Sequence, residues 1–170
     1  MSKKENFLIF TLSDLRCALP LASIVRILRV VEISHVPRAP EIVMGLVNVH
    51  GLVVPVLNIR KLFRLPEIEI TLNDQLVLVQ SATCLVAIVV DGTGGVVEYP
   101  AGDITQPEEL HPGIPYLEGV AKQQEGIILI YNLDRLISLE GGPAIDSLLA
   151  SEIPASDEGR GQDYEQCHLP

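Results

Sequence analysis

The sequence predicts an all-β protein built from two similar halves. The main observation is an internal repeat, because residues 45–62 (GLVNVHGLVVPVLNIRKL) return as residues 119–136 (GVAKQQEGIILIYNLDRL). In each copy a glycine separates two apolar runs, which indicates a hairpin turn. Val, Ile and Leu abound while aromatic residues make up 4% of the chain, a bias that favours strands packed by branched side chains. Turn residues recur at short intervals, as is typical of small barrels or sandwiches.

Apolar runs between turn residues predict the strands in order. In the first half we expect strands near residues 6–12, 16–20, 27–33, 43–49 and 52–58. In the second half we expect them near residues 76–81, 84–90, 96–99, 117–122 and 126–131. Short helical turns are expected at residues 21–25, 59–63 and 133–137.

The domain organisation follows from the repeat and from a change in composition. We expect one domain over residues 1–139, made of two subdomains at about 13–66 and 67–139, and an acidic tail over residues 140–170. An apolar stripe at helical spacing predicts a short amphipathic C-terminal helix at about residues 143–153. The stripe consists of Ile145, Leu148, Leu149 and Ile153.

The charge of the chain argues against nucleic acid as a partner. The formal net charge is −10 and the isoelectric point is about 4.7, so the chain as a whole repels phosphate. Residues 140–170 contain seven acidic residues and one arginine, a net charge of −6, which is typical of a solvated tail.

The cellular location is predicted from the cysteines and the apolar runs. The three cysteines, Cys17, Cys84 and Cys167, show no metal-ligand spacing, which favours free thiols in a reducing compartment. Cys17 and Cys84 stand in apolar strands and are expected to be buried. The chain begins without a recognisable export signal, and its longest apolar stretch, residues 76–90, is too short and too polar to span a membrane. We therefore expect a cytoplasmic protein with no direct membrane insertion.

Motifs for catalysis or cofactor binding are weak. None of the histidines His35, His50, His111 and His168 stands at a metal-ligand spacing, so we expect no metal and no cofactor. The densest polar cluster is the loop from Asp103 to His111, with Glu108 and Glu109. This loop leaves open an alternative function, a small-ligand-binding or catalytic β-barrel, but the preferred interpretation is a non-enzymatic binding module.

Several motifs, in order over residues 6–139, resemble the CheW family of chemotaxis coupling proteins. They are FLIFTL (7–12), ALPL (18–21), IVR (24–26), VPRAP (36–40), GLVNVHG (45–51), PVLNIR (55–60), VAIVVDG (86–92) and residues 127–136. The resemblance implies a fold of two five-stranded SH3-like barrels. It also implies an adaptor that joins the cytoplasmic tips of methyl-accepting chemotaxis receptors to the regulatory domain of the histidine kinase CheA.

The resemblance also implies binding residues. Receptor contact would use the central signature, which maps to Gly45, Asn48, His50 and Gly51. Further candidates for partner contact are Val25, Arg26, Ile27, Arg29, Val47 and Arg60. The alternative for these six is that the aliphatic side chains face a barrel interior and that the arginines are solvated.

The chain departs from the family pattern at three positions. His50 replaces the usual arginine of the signature, so one neutral donor stands where a guanidinium would supply five donors and a fixed charge. Ile27 replaces a common acidic residue, and Asn58 replaces a common aspartate but can still hydrogen-bond. We expect these changes to alter partner specificity; the receptor, the kinase and the output, motility or another pathway, stay open.

Overall fold

The predicted all-β class is confirmed. The structure is a computed structural model that describes residues 3–82, 84–106, 116–124 and 126–140. The described strands are β1 (Lys4–Leu12), β2 (Leu15–Pro20), β3 (Ile24–Arg29), β4 (Val43–Val49), β5 (Leu52–Leu57), β6 (Gln75–Gln80), β7 (Leu85–Val90), β8 (Gly92–Pro100), β9 (Ile104–Thr105), β10 (Leu117–Gln123) and β11 (Gly126–Tyr131). The helices are α1 (Ile59–Leu62) and α2 (Leu133–Glu140), with 3-10 turns at Leu21–Ser23 and Ala101–Asp103.

Three elements differ from the sequence-based expectation. β3 begins at Ile24, earlier than the expected strand at 27–33, because the preceding turn ends at Ser23. β8 begins at Gly92 because the glycine-rich segment already pairs with β1, across a bulge between Ile9 and Phe10. β9 was not expected, since two residues carry no periodic pattern. The C-terminal helix expected at 143–153, the tail and Cys167 lie outside the described residues.

The described strands form two sheets that draw on both halves of the sequence. The six-stranded sheet, sheet A, has the order β8-β1-β2-β11-β10-β9, and the five-stranded sheet, sheet B, has the order β3-β6-β7-β5-β4. The expected subdomains, 13–66 and 67–139, therefore do not correspond to the sheets. The first half of the chain instead places its opening hairpin, β1–β2, in sheet A, next to the later strands of the second half. The second half places its opening hairpin, β6–β7, in sheet B, next to the later strands of the first half.

Short connections explain this exchange of hairpins. β2 ends at Pro20, and the 3-10 turn Leu21–Ser23 carries the chain into β3 without the reversal that a β2–β3 hairpin would need. Between β7 and β8 there is only Asp91. Each hairpin joins its new sheet through a parallel pair, β2 with β11 and β7 with β5.

The internal repeat is present in three dimensions. In both hairpins, β4–β5 and β10–β11, the register shifts next to the opening glycine, Gly45 or Gly119. Both hairpins lead into a helix whose first turn is capped by an asparagine: Asn58 Oδ1 accepts a hydrogen bond from Lys61 N at 3.2 Å, and Asn132 Oδ1 accepts one from Arg135 N at 3.1 Å. Asn58 therefore keeps a hydrogen-bonding role without the charge of an aspartate.

The largest buried cluster contains side chains from both sheets. Phe10 and Cys17 of sheet A belong to it together with Leu57 and Ile88 of sheet B. Cys17 and Cys84 are buried free thiols, as the sequence predicts, and burial raises the pKa of the Cys17 thiol to about 12, so that it stays protonated at neutral pH. This shared core holds the two sheets together as one unit.

Two polar contacts, which we call the clasps, attach each helix to the opening hairpin of its own half. In the first clasp, Arg60 of α1 donates to Ser13 Oγ at 2.9 Å and pairs with Asp91, and Asp91 Oδ2 accepts from Ser13 N at 2.6 Å. In the second clasp, Asp134 of α2 accepts a hydrogen bond from Ala82 N at 2.6 Å. Because each hairpin lies in the other sheet, the clasps connect sheet A to sheet B.

Removing the Arg60 guanidinium tests the first clasp. Arg60→Met keeps the aliphatic stem but removes the guanidinium that pairs with Asp91 and donates to Ser13 Oγ. Arg60 is only 8% exposed, so we expect the free energy of unfolding to fall by about 2 kcal/mol. Urea unfolding measures this, with Arg29→Met on the exposed face of β3 as the matched control. Equal stability of the two variants would show that the clasp contributes nothing.

Candidate partner-binding surface

Three of the four signature residues lie at the tip of the β4–β5 hairpin. His50 and Gly51 form its two-residue turn with φ values of 51° and 88°, as a type I′ turn requires. Glycine enters this region freely and histidine tolerates it better than most residues do. Asn48 Oδ1 accepts a hydrogen bond from Gly51 N at 2.8 Å, which fixes the turn. The Asn48 and His50 side chains are exposed, so both are available to a partner.

Gly45, the fourth signature residue, is buried in β4. The segment after β3 crosses it closely, because Ser34 exchanges two backbone hydrogen bonds with Leu46, at 2.8 and 2.9 Å. A Cβ atom at position 45 would lie against the Ser34 carbonyl oxygen and 2.8 Å from Ile33 Cγ2. Gly45 therefore permits this crossing and presents no exposed side chain of its own.

Four exposed hydrophobic side chains cluster around β3. Among the described residues, eight large hydrophobic side chains are exposed, and half of them fall within residues 21–31. Among the described strands, β3 lies at one edge of sheet B and has β6 as its neighbour. We define the β3 surface as these four side chains and the two exposed arginines between them. Its members are Leu21, Val25, Arg26, Ile27, Arg29 and Val31.

The β3 surface has the composition of a protein interaction site. Exposed apolar groups concentrated on one edge strand and the residues next to it are unusual for a monomer and mark contact surfaces. Arginine beside such groups adds donors for carboxylates or carbonyl oxygens of a partner. Sequence reasoning selected Val25, Arg26, Ile27 and Arg29 but missed Leu21 and Val31, since hydrophobicity alone does not separate an exposed aliphatic residue from a buried one.

Two candidates for partner contact are wrong. Val47 is 2% exposed and packs inside sheet B, because side chains alternate along β4 and the exposed position belongs to its neighbour Asn48. Arg60 is buried and held in the first clasp. The arginine and the valine therefore stabilise the fold and are not accessible to a partner.

The alternative site in the loop from Asp103 to His111 is described only at its start. Asp103 is an exposed residue that ends the second 3-10 turn. Glu108, Glu109 and His111 lie outside the described residues. Across the described part of the chain, no group of three or more His, Cys, Asp or Glu side chains is arranged to hold a metal ion. No helix in that part is long and apolar enough to cross a membrane.

Comparison with known proteins identifies the family. The family model for the CheW-like domain matches residues 6–141. The chain belongs to the CheW-like domain family. The chemotaxis protein CheW of Klebsiella aerogenes is 24% identical over 149 residues, which cover 86% of this chain and 90% of that protein. Protein FrzA of Myxococcus xanthus is 27% identical over 104 residues, covering 61% and 65% of the two chains.

A solved structure in this CheW-like family has the same fold. The crystal structure of the scaffolding protein CheW from Thermoanaerobacter tengcongensis matches with a TM-score of 0.72 at 22% identity. The match covers 83% of this chain and 96% of that one. It confirms the predicted fold of two SH3-like barrels, although sheet A has six described strands where five were expected.

The close crossing at Gly45 can be tested by adding one methyl group. Gly45→Ala places a Cβ against the Ser34 carbonyl, so backbone or side chain must shift, and we expect a loss of about 2 kcal/mol in the free energy of unfolding. Gly102→Ala is the matched control, because no atom lies within 4 Å of its Cβ position. Thermal melting followed by circular dichroism measures both. A Gly45→Ala protein as stable as Gly102→Ala would contradict this role.

Proposed function

We propose that this chain is a non-enzymatic cytoplasmic adaptor that couples the cytoplasmic tips of methyl-accepting chemotaxis receptors to the regulatory domain of the histidine kinase CheA. The observation that carries the proposal is the CheW-like domain, which spans residues 6–141 and so accounts for nearly all of the described chain. An adaptor needs stable surfaces and no reacting groups. The exposed β3 surface and hairpin tip fit that requirement.

Receptor binding is assigned to the hairpin tip. Asn48, His50 and Gly51 supply hydrogen-bonding groups on a turn whose backbone is fixed by the Asn48 side chain. Gly45 acts indirectly by setting the path of β4. A preorganised turn loses little conformational freedom on binding, which favours affinity.

The β3 surface supplies the larger apolar contact. Val25 and Ile27 provide apolar area, and Arg26 and Arg29 provide charge at its margin. Because β3 and the β4–β5 hairpin belong to the same sheet, bound partners would be held by one rigid scaffold.

Truncating one exposed aliphatic side chain in each sheet tests the adaptor function. Val25 on β3 is 57% exposed and Ile127 on β11 is 56% exposed, so Val25→Ser and Ile127→Ser remove comparable apolar surface from different sheets. We expect wild type to bind both the kinase regulatory domain and a receptor-tip fragment. Val25→Ser should weaken binding to at least one of them about tenfold, while Ile127→Ser changes neither more than about twofold.

Calorimetric titration of each partner measures these affinities. If the wild-type chain fails to bind the kinase regulatory domain, or fails to bind the receptor-tip fragment, the adaptor function is overturned. Equal weakening by both serine variants would instead place the contact elsewhere than the β3 surface.

His50 is tested by restoring the arginine that is usual at this position of the family pattern. A guanidinium supplies five donors and a fixed charge, and it forms strong hydrogen bonds to carboxylates or carbonyl oxygens. We expect His50→Arg to bind the receptor-tip fragment several-fold more tightly than wild type.

The matched control is His35→Arg, since His35 is also exposed but lies outside the hairpin tip. That variant should bind the receptor-tip fragment with the affinity of wild type. Equal affinity of wild type and His50→Arg would show that His50 does not contact the receptor.

A further inference from the structure

A second surface feature lies on sheet B, where the connection between α1 and β6 bounds a cavity. The cavity has a volume of about 140 Å³ and opens beside the end of β5. Its apolar lining includes Met44 of β4, Val89 of β7, and Ile68 and Ile70 of the connection, while Glu67 and Asp74 supply carboxylates. Neither the hairpin tip nor the β3 surface contributes a residue to this lining.

The cavity carries excess negative charge. Of its carboxylates, Asp91 is neutralised by Arg60 in the first clasp. Within the described residues, Glu67 and Asp74 are paired with no lysine or arginine; Glu67 accepts a hydrogen bond from Asn58 Nδ2 at 3.1 Å, and Asp74 accepts one from Thr71 N at 2.8 Å. These hydrogen bonds orient the two carboxylates but do not cancel their charge.

Two exposed apolar side chains lie in the connection that bounds the cavity. Leu72, in the same connection, is 84% exposed, and Ile68 both lines the cavity and is exposed to solvent. Such large exposed hydrophobic groups next to a concave site are typical of contact surfaces. The connection therefore offers apolar contact outside and negative charge within.

An apolar wall, combined with carboxylates that have no lysine or arginine partner among the described residues, complements a long basic side chain. Lysine and arginine have an aliphatic stem that packs on apolar surface and a cationic end that pairs with carboxylates. Residues 140–170 of this chain carry a net charge of −6, so electrostatic repulsion disfavours them as the occupant.

We propose that this cavity receives a lysine or arginine side chain of a partner protein, and that aliphatic residues flanking the basic residue contact Ile68 and Leu72. The site is separate from the surfaces assigned to adaptor function. It gives the chain a contact that recognises a basic residue between aliphatic neighbours.

A short peptide probes the site without kinase or receptor, so its outcome is independent of the adaptor proposal. The probe is the acetylated and amidated tripeptide Leu-Lys-Leu, and the matched peptide replaces lysine by norleucine, which has an apolar chain and no charge. We expect saturable shifts of the amide resonances of residues 67–74 with the lysine peptide at millimolar concentration. Norleucine should weaken binding about fivefold, and added salt should weaken only the lysine peptide.

Matched variants separate the cavity from the general charge of the connection. Asp74→Asn and Glu67→Gln each remove one cavity carboxylate and should weaken lysine-peptide binding about threefold, whereas Glu69→Gln removes the same charge from an exposed neighbour outside the lining. Leu72→Ser should weaken both peptides, with Val96→Ser on β8 as the control for loss of an exposed aliphatic group. If Asp74→Asn lowers the melting temperature, its peptide binding is not interpreted, and the test of the cavity carboxylates rests on Glu67→Gln.

Three results would overturn the proposal. The first is the absence of saturable shifts in wild type at millimolar peptide. The second is equal binding of the lysine and norleucine peptides. The third is equal weakening by Glu67→Gln and Glu69→Gln, which would mean that the charge acts diffusely and that the cavity is not the site.

Discussion

The exchange of hairpins between the two sheets is the constraint on which the rest of the structure depends. Neither half of the chain can complete a sheet alone, because β1–β2 pairs with the later strands of the second half and β6–β7 with those of the first. The shared core and the clasps at Arg60 and Asp134 then join helix, hairpin and sheet across the molecule. We therefore expect the two sheets to fold and unfold together as one cooperative unit.

This architecture determines which residues are available to partners. Arg60 is needed inside the clasp and Val47 inside sheet B, so neither reaches a binding surface. The edge position of β3 leaves Val25 and Ile27 uncovered, and the tight β4–β5 turn projects His50 outward. The proposed partner surfaces thus lie where a strand lacks a neighbour or a turn leaves the sheet.

Local pattern was enough to predict the class of fold, most strand positions and the burial of Cys17 and Cys84. Pairing between distant strands was not predictable, since the hydrophobic pattern of β1–β2 is the same whichever sheet receives it. The role of Arg60 could not be predicted for the same reason. Local pattern predicts a solvated arginine, whereas its partners in the first clasp, Ser13 and Asp91, are distant in sequence. Exposure of Val25 was likewise decided by tertiary structure.

The proposed adaptor function is tested most directly by asking whether the chain holds both partners at once. A receptor-tip fragment is immobilised, a fixed amount of kinase regulatory domain is added, and the chain is titrated into the mixture. We expect the kinase domain to be retained only when the chain is present. Retention should rise and then fall as the chain is added, because excess chain saturates each partner separately. Retention that does not depend on the chain, or binding of kinase domain that displaces the chain from the receptor, would contradict it.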